Sequence, residues 1–575
     1  MARKNKGINI FRQVPKANLP RTTFNMSHQV KFSGEFGRAY PIFCQEVIPG
    51  DRWDISADHF ARLAPMIAPV MHDLDVRMHW FFVPMRLLWD DFEDWMTGGR
   101  TGTWREDNPD SFPVLTLTGL IDAGFTRYSE FIGSLFDYMG FGFANTDESA
   151  WFEPASGQTI SALPFRAYWL IYNYFFRDQN VQDEIPVSTA SGGNDVTTLN
   201  EVSNMQIFDN TDCLFRVAWD KDYFTSATLT PQRGPQVYIP LGNSAPIVST
   251  DSTILGQTQY ASEYEVATFG DARPPSVSDL RVENIRWSEN SNGTATGSGF
   301  LRDAEGNGIS HVHDINLTKL SADLSGSAGA AVDDVREAFA LERFFERMQI
   351  VGSRFSEFLR GIFGTNAGDA RLQMPEYLGT WQNPFMINNV SQTSATTSSS
   401  PQAQYAGNGM SSQRNEIISK AFPEHGYLIG LYVAMPRNGY SQGLSKVLSR
   451  KDWLDFFNPY FEHIGEQPVM MSELYYDPSL SPNEDEIFGY QSQYADYKFI
   501  NSHIHGQFKN YLNFWTASRI FDTKPTLSPQ FVYFNKEEST DRVFALVDEP
   551  KFYVQLDIKA YATRSMSAYS TPRVI

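Results

Sequence analysis

The sequence predicts a large, mainly β protein built from antiparallel strands, with strands of one pattern near both ends of the chain. Three stretches carry this expectation. In "HDLDVRMHWFFVP" (72–84), Leu74, Val76, Met78, Trp80 and Phe82 fall on every second residue, with Asp73, Asp75, Arg77, His79 and Phe81 between them. A period of two is the mark of a strand with one dry and one wet face. "KFYVQLDIKAYA" alternates in the same way, Phe552, Val554, Leu556, Ile558 and Ala560 against Tyr553, Gln555, Asp557, Lys559 and Tyr561. "GRAYPIFCQEVIPGDRWDIS" is an apolar run broken by the turn signal Pro49-Gly50-Asp51. Together they suggest a sheet sandwich closed by its first and last elements.

Size and composition fit such a body with additions. The chain has 575 residues, and a single core seldom grows past about 250–300, so either several domains or one core with long excursions is expected. Hydrophobic content is 42% and aromatic content 14%. That many rings suits an aromatic-rich core, and equally subunit interfaces or sugar-binding surfaces.

In chain order, the first element is a basic arm, residues 1–28. Its first 21 residues hold Arg3, Lys4, Lys6, Arg12, Lys16 and Arg21 and no acid, whereas the whole chain carries 47 basic against 67 acidic residues, a net charge of −20. The last stretch is basic as well, with Lys559, Arg564 and Arg573. Basic ends on an acidic body suit contact with a polyanion or an acidic neighbour; a solvated tail is the plainer alternative. No apolar run follows the first lysines, and no segment approaches the roughly 18 apolar residues of a membrane helix. Cys44 and Cys213 form no framework. A protein made and kept in a cytoplasm is the expectation.

Residues 29–242 read as the first part of the core with helical excursions. "WDDFEDWM" (89–96) places Trp89, Phe92 and Trp95/Met96 on one helix side, and "LPFRAYWLIYNYFFRDQN" (163–180) opens with Pro164 in its first turn. Residues 243–330 are rich in Ser, Gly, Thr and Asn, with eleven acids against five bases, and read as a surface insertion with a little strand. Residues 331–575 return to the core. They begin with a helix over 332–364, whose stripes Ala338, Leu341, Phe345, Met348 and Phe344, Val351, Phe355, Phe358 read as packing faces. Asp334 with Glu337 offers a capping box. Residues 377–413 carry no charge and read as a long uncharged loop, within which "SQTSATTSSSPQAQ" is low in complexity. "HGYLIGLYVAMPR" (425–437) is a continuous apolar run.

Signs of chemistry are few. A Walker loop, GxSxG, HExxH and an EF-hand loop are all missing. His311/His313 and His503/His505 are His-x-His pairs that would project to one side of a strand, as a metal site needs. The surrounding Glu and Gly of a jelly-roll metal enzyme do not accompany either pair, so no metal and no cofactor is assigned, and no catalytic residue.

"DVRMHWFFVPMRLLWDDFEDWMTGG", "RAYWLIYNYFFRDQN", "DYFTSATLTPQRGP", "DARLQMPEYLG", "HGYLIGLYV", "GEQPV" and "FGYQSQYADYKF" occur in this order. Together they resemble the major capsid proteins of the Microviridae, small single-stranded DNA bacteriophages, and most closely the gokushovirus branch, over about residues 20–565. The resemblance implies an eight-stranded antiparallel viral jelly roll with long α-helical and loop insertions. It implies sixty copies in a T=1 icosahedral shell around circular single-stranded DNA, a small basic virion protein, and assembly in the host bacterial cytoplasm. The variable insertion would then be a threefold protrusion, where Ile285, Trp287 and Phe300 are expected to meet other copies, and its tip would meet a host cell-surface receptor. The basic ends, Arg3, Lys4, Lys6, Arg12, Lys16, Arg21, Lys559, Arg564 and Arg573, are expected to touch DNA or a neighbour. The competing class is a jelly-roll carbohydrate-binding protein or glycan-active enzyme, marked by a row of exposed aromatics beside two close carboxylates.

Overall fold

The alternation in the sequence becomes two antiparallel sheets. The computed structural model describes residues 20–97, 112–143, 147, 149–155, 157–192, 212–232, 234, 247–249, 281–289, 295–302, 308–315, 320–322, 332–351, 373–393, 396, 401–479 and 486–569. It divides into two compact units, one formed by 1–231 with 348–575 and one by 232–347.

The strands of the first unit begin with β1 (Thr22–Asn25), β2 (His28–Gly34), β3 (Ala39–Val47), β4 (Arg52–Leu63) and β5 (Leu74–Pro84), then a short pair, β6 (Val114–Thr116) and β7 (Thr159–Ser161). The second unit holds β8 (Ile247–Ser249), β9 (Arg281–Glu289), β10 (Ala295–Arg302), β11 (Gly308–Ile315) and β12 (Leu320–Ala322). The first unit resumes with β13 (Glu376–Pro384), β14 (Met386–Ser391), β15 (Tyr405–Arg414), β16 (Ile418–Ala421), β17 (Gly426–Pro436), β18 (Glu466–Met470), β19 (Ile487–Ser492) and β20 (Phe552–Arg564).

In the larger sheet β20 is central. It pairs with β1 and β2 on one side and β4 on the other; β4 in turn carries β15 and β16, and β14 lies beyond β15. The second sheet runs β13–β5–β17–β3. Early strands thus close against the last one, as the shared pattern implies. The sheets face each other through interleaved rings: Phe32 of β2 meets Tyr432 of β17 edge-on at 5.1 Å, and Phe43 of β3 meets Trp53 of β4 at 5.8 Å. His59 of β4 reaches across to the Tyr432 hydroxyl at 3.1 Å.

Sequence period decides which strands are covered once and which twice. Along β20, Phe552, Val554, Leu556, Ile558, Ala560 and Ala562 are buried while the alternate residues are not. β17 is buried at every position, because it has a strand on each side and the helix Leu163–Ile171 lies on β5 and β17. Continuous apolar runs mark such strands. The polar face of β5 meets its own chain. Arg77 holds Asp220 through two bonds of 2.5 and 2.6 Å, Gln382 of β13 donates to Asp75 at 3.0 Å, and His79 sits 3.1 Å from the Thr380 hydroxyl with its ring edge-on to Phe176.

The Pro49-Gly50-Asp51 turn is tied to the last strand. Gly50 has φ +87°, a left-handed conformation that favours glycine. Asp51 is fully buried; its carboxylate accepts from the Ile48 amide and pairs with Arg564 at 3.1 Å, and the Arg564 guanidinium lies 5.2 Å over the Trp53 ring.

Several expectations need correcting. Residues 377–413 are mostly strand, not loop: they supply β13, β14 and most of β15. The helix expected over 163–180 is α-helical only to Ile171 and closes with a π turn, Tyr172–Phe176. There the Asn173 side chain pairs with the Ile185 backbone in both directions, at 2.8 and 3.0 Å, and Arg177 turns to extended backbone. The helix expected over 332–364 is seen as Val332–Val351, and the remainder lies outside the described residues. It starts two residues before Asp334, and of its stripes Ala338, Phe345 and Met348 are half-buried while Leu341 and Phe344 are exposed. The helix expected over 89–96 is Phe92–Thr97; Trp89 is buried, while Trp95 and Met96 are exposed.

Candidate assembly and nucleic-acid surfaces

The basic ends divide. Arg3, Lys4, Lys6, Arg12, Lys16 and Arg573 lie outside the described residues. The other three are held within the chain: Arg21 donates to the Gly50 carbonyl, Lys559 pairs with Asp58 at 2.5 Å, and Arg564 pairs with Asp51. Ile285 and Trp287 lie on β9 and Phe300 on β10, in a three-stranded sheet of order β11–β10–β9. Trp287 is opposite Gly297, and Ile285 falls at an irregularity in the pairing opposite Ser298–Phe300. His311 and His313 lie on β11 opposite Gly299 and Gly297. His503 and His505 flank no regular strand; their rings are 6.1 Å apart. No three His, Cys, Asp or Glu side chains converge as metal ligands among the described residues.

The sequence reading missed an apolar surface over residues 446–464 and 497–500. Its local folding explains why the apolar groups point outward. The helix Lys446–Ser449 and the 3-10 turns Trp453–Asp455 and Pro459–Phe461 are too short to bury a face of their own. Their polar groups are satisfied from within. The Asp455 carboxylate accepts from the amides of Lys451 and Asp452, at 2.7 and 2.8 Å, which holds it below the usual carboxylate range. Asn458 caps Tyr460 at 3.1 Å; the Tyr494 hydroxyl accepts from the Asn458 amide at 3.2 Å, and that of Tyr497 from the Phe457 amide at 3.3 Å. Arg450 pairs with Asp496 and lies 4.3 Å over the Tyr497 ring. Beneath, Lys446 pairs at 2.7 Å with Glu473, a buried carboxylate that also accepts from the Tyr223 hydroxyl.

With those bonds made, Leu448 (70% exposed), Trp453 (66%), Phe456 (55%), Tyr460 (92%), Tyr497 (48%) and Ile500 (82%) face outward. An aromatic side chain presents roughly 150–250 Å² when fully open, so the four rings alone offer on the order of 500 Å². A standard interface covers about 800 Å² per partner. Sequence gave one signal, the density of rings in "WLDFFNPYF". The default expectation that rings go inside hid its meaning.

An antiparallel sandwich with outward apolar side chains and no converging metal-ligand or catalytic cluster among the described residues fits a structural protein that associates with others. Comparison with known proteins gives the family. The family of the phage capsid protein (F protein) matches residues 12–574, and the chain belongs to it. It is similar to the capsid protein VP1 of Chlamydia phage 1, 30% identical over 98% of this chain and 97% of the relative. It is likewise similar to the capsid protein VP1 of Bdellovibrio phage phiMH2K, 32% identical over 98% and 97%. Against the capsid protein VP1 of Spiroplasma virus 4 identity is 27%, over 100% and 98%. The family is structural, indicates no enzymatic activity, and implies self-assembly and a virion location. No described helix is long and apolar enough to cross a membrane.

Proposed function

We propose that sixty copies of this chain close into a T=1 icosahedral shell around a circular single-stranded DNA, assembled in the host bacterial cytoplasm. The whole-chain match to the capsid family carries this reading, and the outward apolar surface over 446–464 and 497–500 supports it with a means of association. The sandwich is read as an eight-stranded jelly roll. β2–β20–β4 with β15 or β16 form one four-stranded half and β3–β17–β5–β13 the other, an order that fits two interleaved Greek keys. With a net charge of −20, the chain cannot neutralise packaged phosphates over its whole surface. A small basic virion protein is the partner assigned to share that task.

The insertion 243–330 is assigned to a protrusion at each threefold axis that meets a host cell-surface receptor. Surface insertions cost little stability because closure entropy grows slowly with length, and exposed segments commonly carry recognition.

Particle mass and electron microscopy of the expressed chain test the shell. Sixty copies of a 65.2 kDa chain give a closed particle of about 3.9 MDa; only small oligomers at all concentrations would refute it. Replacing 243–330 by a Gly/Ser linker is expected to leave particles that adsorb poorly to host cells. Unchanged adsorption refutes the receptor role, and failed assembly makes the insertion structural first.

A further inference from the structure

The solvent side of the larger sheet carries two neighbouring rows across its strands. One reads Lys31, Gln555, Phe60, Ser412 and the next Ser33, Tyr553, Arg62, Met410, on β2, β20, β4 and β15 in turn. Neither row contains an acid, although acids outnumber bases in the chain by twenty. Lys31, Arg62 and Tyr553 are exposed and Phe60 half-buried. The Arg62 guanidinium lies 5.3 Å over the Phe60 ring, so one face of that cation is occupied by the ring. Lys31, Phe60, Arg62, Tyr553 and Gln555 line a shallow open groove of about 450 Å³. The acids of this face begin in the next row, where Asp557 lies opposite Asp58 and Asp58 is paired with Lys559.

We infer that this face binds unpaired polynucleotide, bases stacking on Tyr553 and on the outer face of the Arg62 guanidinium laid over Phe60, while Lys31 and Arg62 supply the charge for the phosphates. The inference rests on the proposed enclosure of single-stranded DNA and assigns the face of the sandwich that meets the genome. An open sheet surface with rings between cations is the kind of platform on which unpaired bases stack without sequence preference. Tyr553 and Phe60 are diagonal neighbours on adjacent strands. Gln555 between them supplies an amide that can bond a base edge.

Fluorescence anisotropy of a labelled oligothymidylate with the purified full-length chain is the test. Tyr553→Ala is expected to weaken binding about 5- to 150-fold, the equivalent of the ~1–3 kcal/mol of one base–ring stack. Lys31→Ala with Arg62→Ala is expected to lower the slope of log affinity against log salt by about 0.7 for each cation removed. Tyr561→Ala is the control: this exposed ring lies on the same face but opposite Asp54, and its loss is expected to leave binding unchanged. Each substitution is at the surface, so thermal unfolding should stay close to that of the parent chain. Absence of oligonucleotide binding by the parent chain overturns the inference, as does parent-like binding by the variants. Parent-like binding together with loss of particles would mean that a second copy covers this face, which also overturns it. A chain that binds the oligonucleotide through Tyr553 yet never closes into particles keeps this inference and defeats the proposed shell.

Discussion

Acid should loosen the sandwich through His59. Its ring lies on the inner face of β4, 2% exposed, with one nitrogen 3.1 Å from the Tyr432 hydroxyl of the facing sheet and the other 3.4 Å from the Ser411 hydroxyl of β15. Burial disfavours the imidazolium and lowers the pKa from 6.5 to about 4. The unfolded chain therefore takes up this proton near pH 6.5 and the folded chain only near pH 4. The stabilisation from keeping His59 neutral is complete above about pH 6.5, falls as pH drops through the window, and changes no further below about 4. At 1.36 kcal/mol per pH unit the window corresponds to about 3 kcal/mol. Urea unfolding of the disassembled chain from pH 7 to pH 4, beside His59→Gln, reads it out. The parent is expected to lose about 3 kcal/mol more than the variant across that range. Parallel losses in the two proteins would refute the assignment of the acid sensitivity to this ring.

Other outcomes follow from single contacts. Arg564→Met strands the buried Asp51 carboxylate without its cation and should cost about 3–5 kcal/mol in urea unfolding; a loss under 1 kcal/mol would contradict a structural role for this pair. Lys551 is buried, with its ammonium donating to the carbonyls of Leu546, Val547 and Glu549, so Lys551→Met should speed amide exchange in 546–549, and unchanged exchange would count against it. A Cβ on Gly443 would lie 1.8 Å from the Glu473 carbonyl oxygen, so Gly443→Ala should lower the melting temperature and disturb the Lys446–Glu473 support; a parent-like melt would show that the backbone yields there. Phe344 is exposed on the helix Val332–Val351, so Phe344→Ser should leave subunit stability within about 0.5 kcal/mol, and a larger loss would mean the ring is covered.

Strands were legible where one face is dry. β5 and β20 alternate large apolar with polar side chains, and β17 is one apolar run. β14 and β15 escaped notice for a physical reason. The inward residues of β15 are Gly407, Gly409 and Ser411; added Cβ atoms at the two glycines would meet the Ala68 carbonyl oxygen at 2.5 Å and the Leu63 side chain at 2.4 Å. Close approach demands small residues there, and small residues leave no hydrophobic period to read. The basic ends were visible as charge, but their partners were not. Asp51 and Asp58 lie at the opposite end of the chain from Arg564 and Lys559, and only the pairing of β20 with β4 brings Lys559 to Asp58. The outward surface over 446–464 was hidden for a related reason, since the hydroxyls of Tyr494 and Tyr497 that hold it open come from a later segment.

Mass photometry of the parent chain beside the double variant Trp453→Asp, Tyr460→Asp measures assembly through the apolar surface most directly. Both rings stand more than half exposed, so the double variant should fold, with near-parent circular dichroism and thermal unfolding. The expected result is closed particles from the parent and folded, soluble subunits from the variant, because two carboxylates at the centre of an interface would have to be buried unpaired. Normal particles from the variant, or none from the parent under any assembly condition, would contradict it.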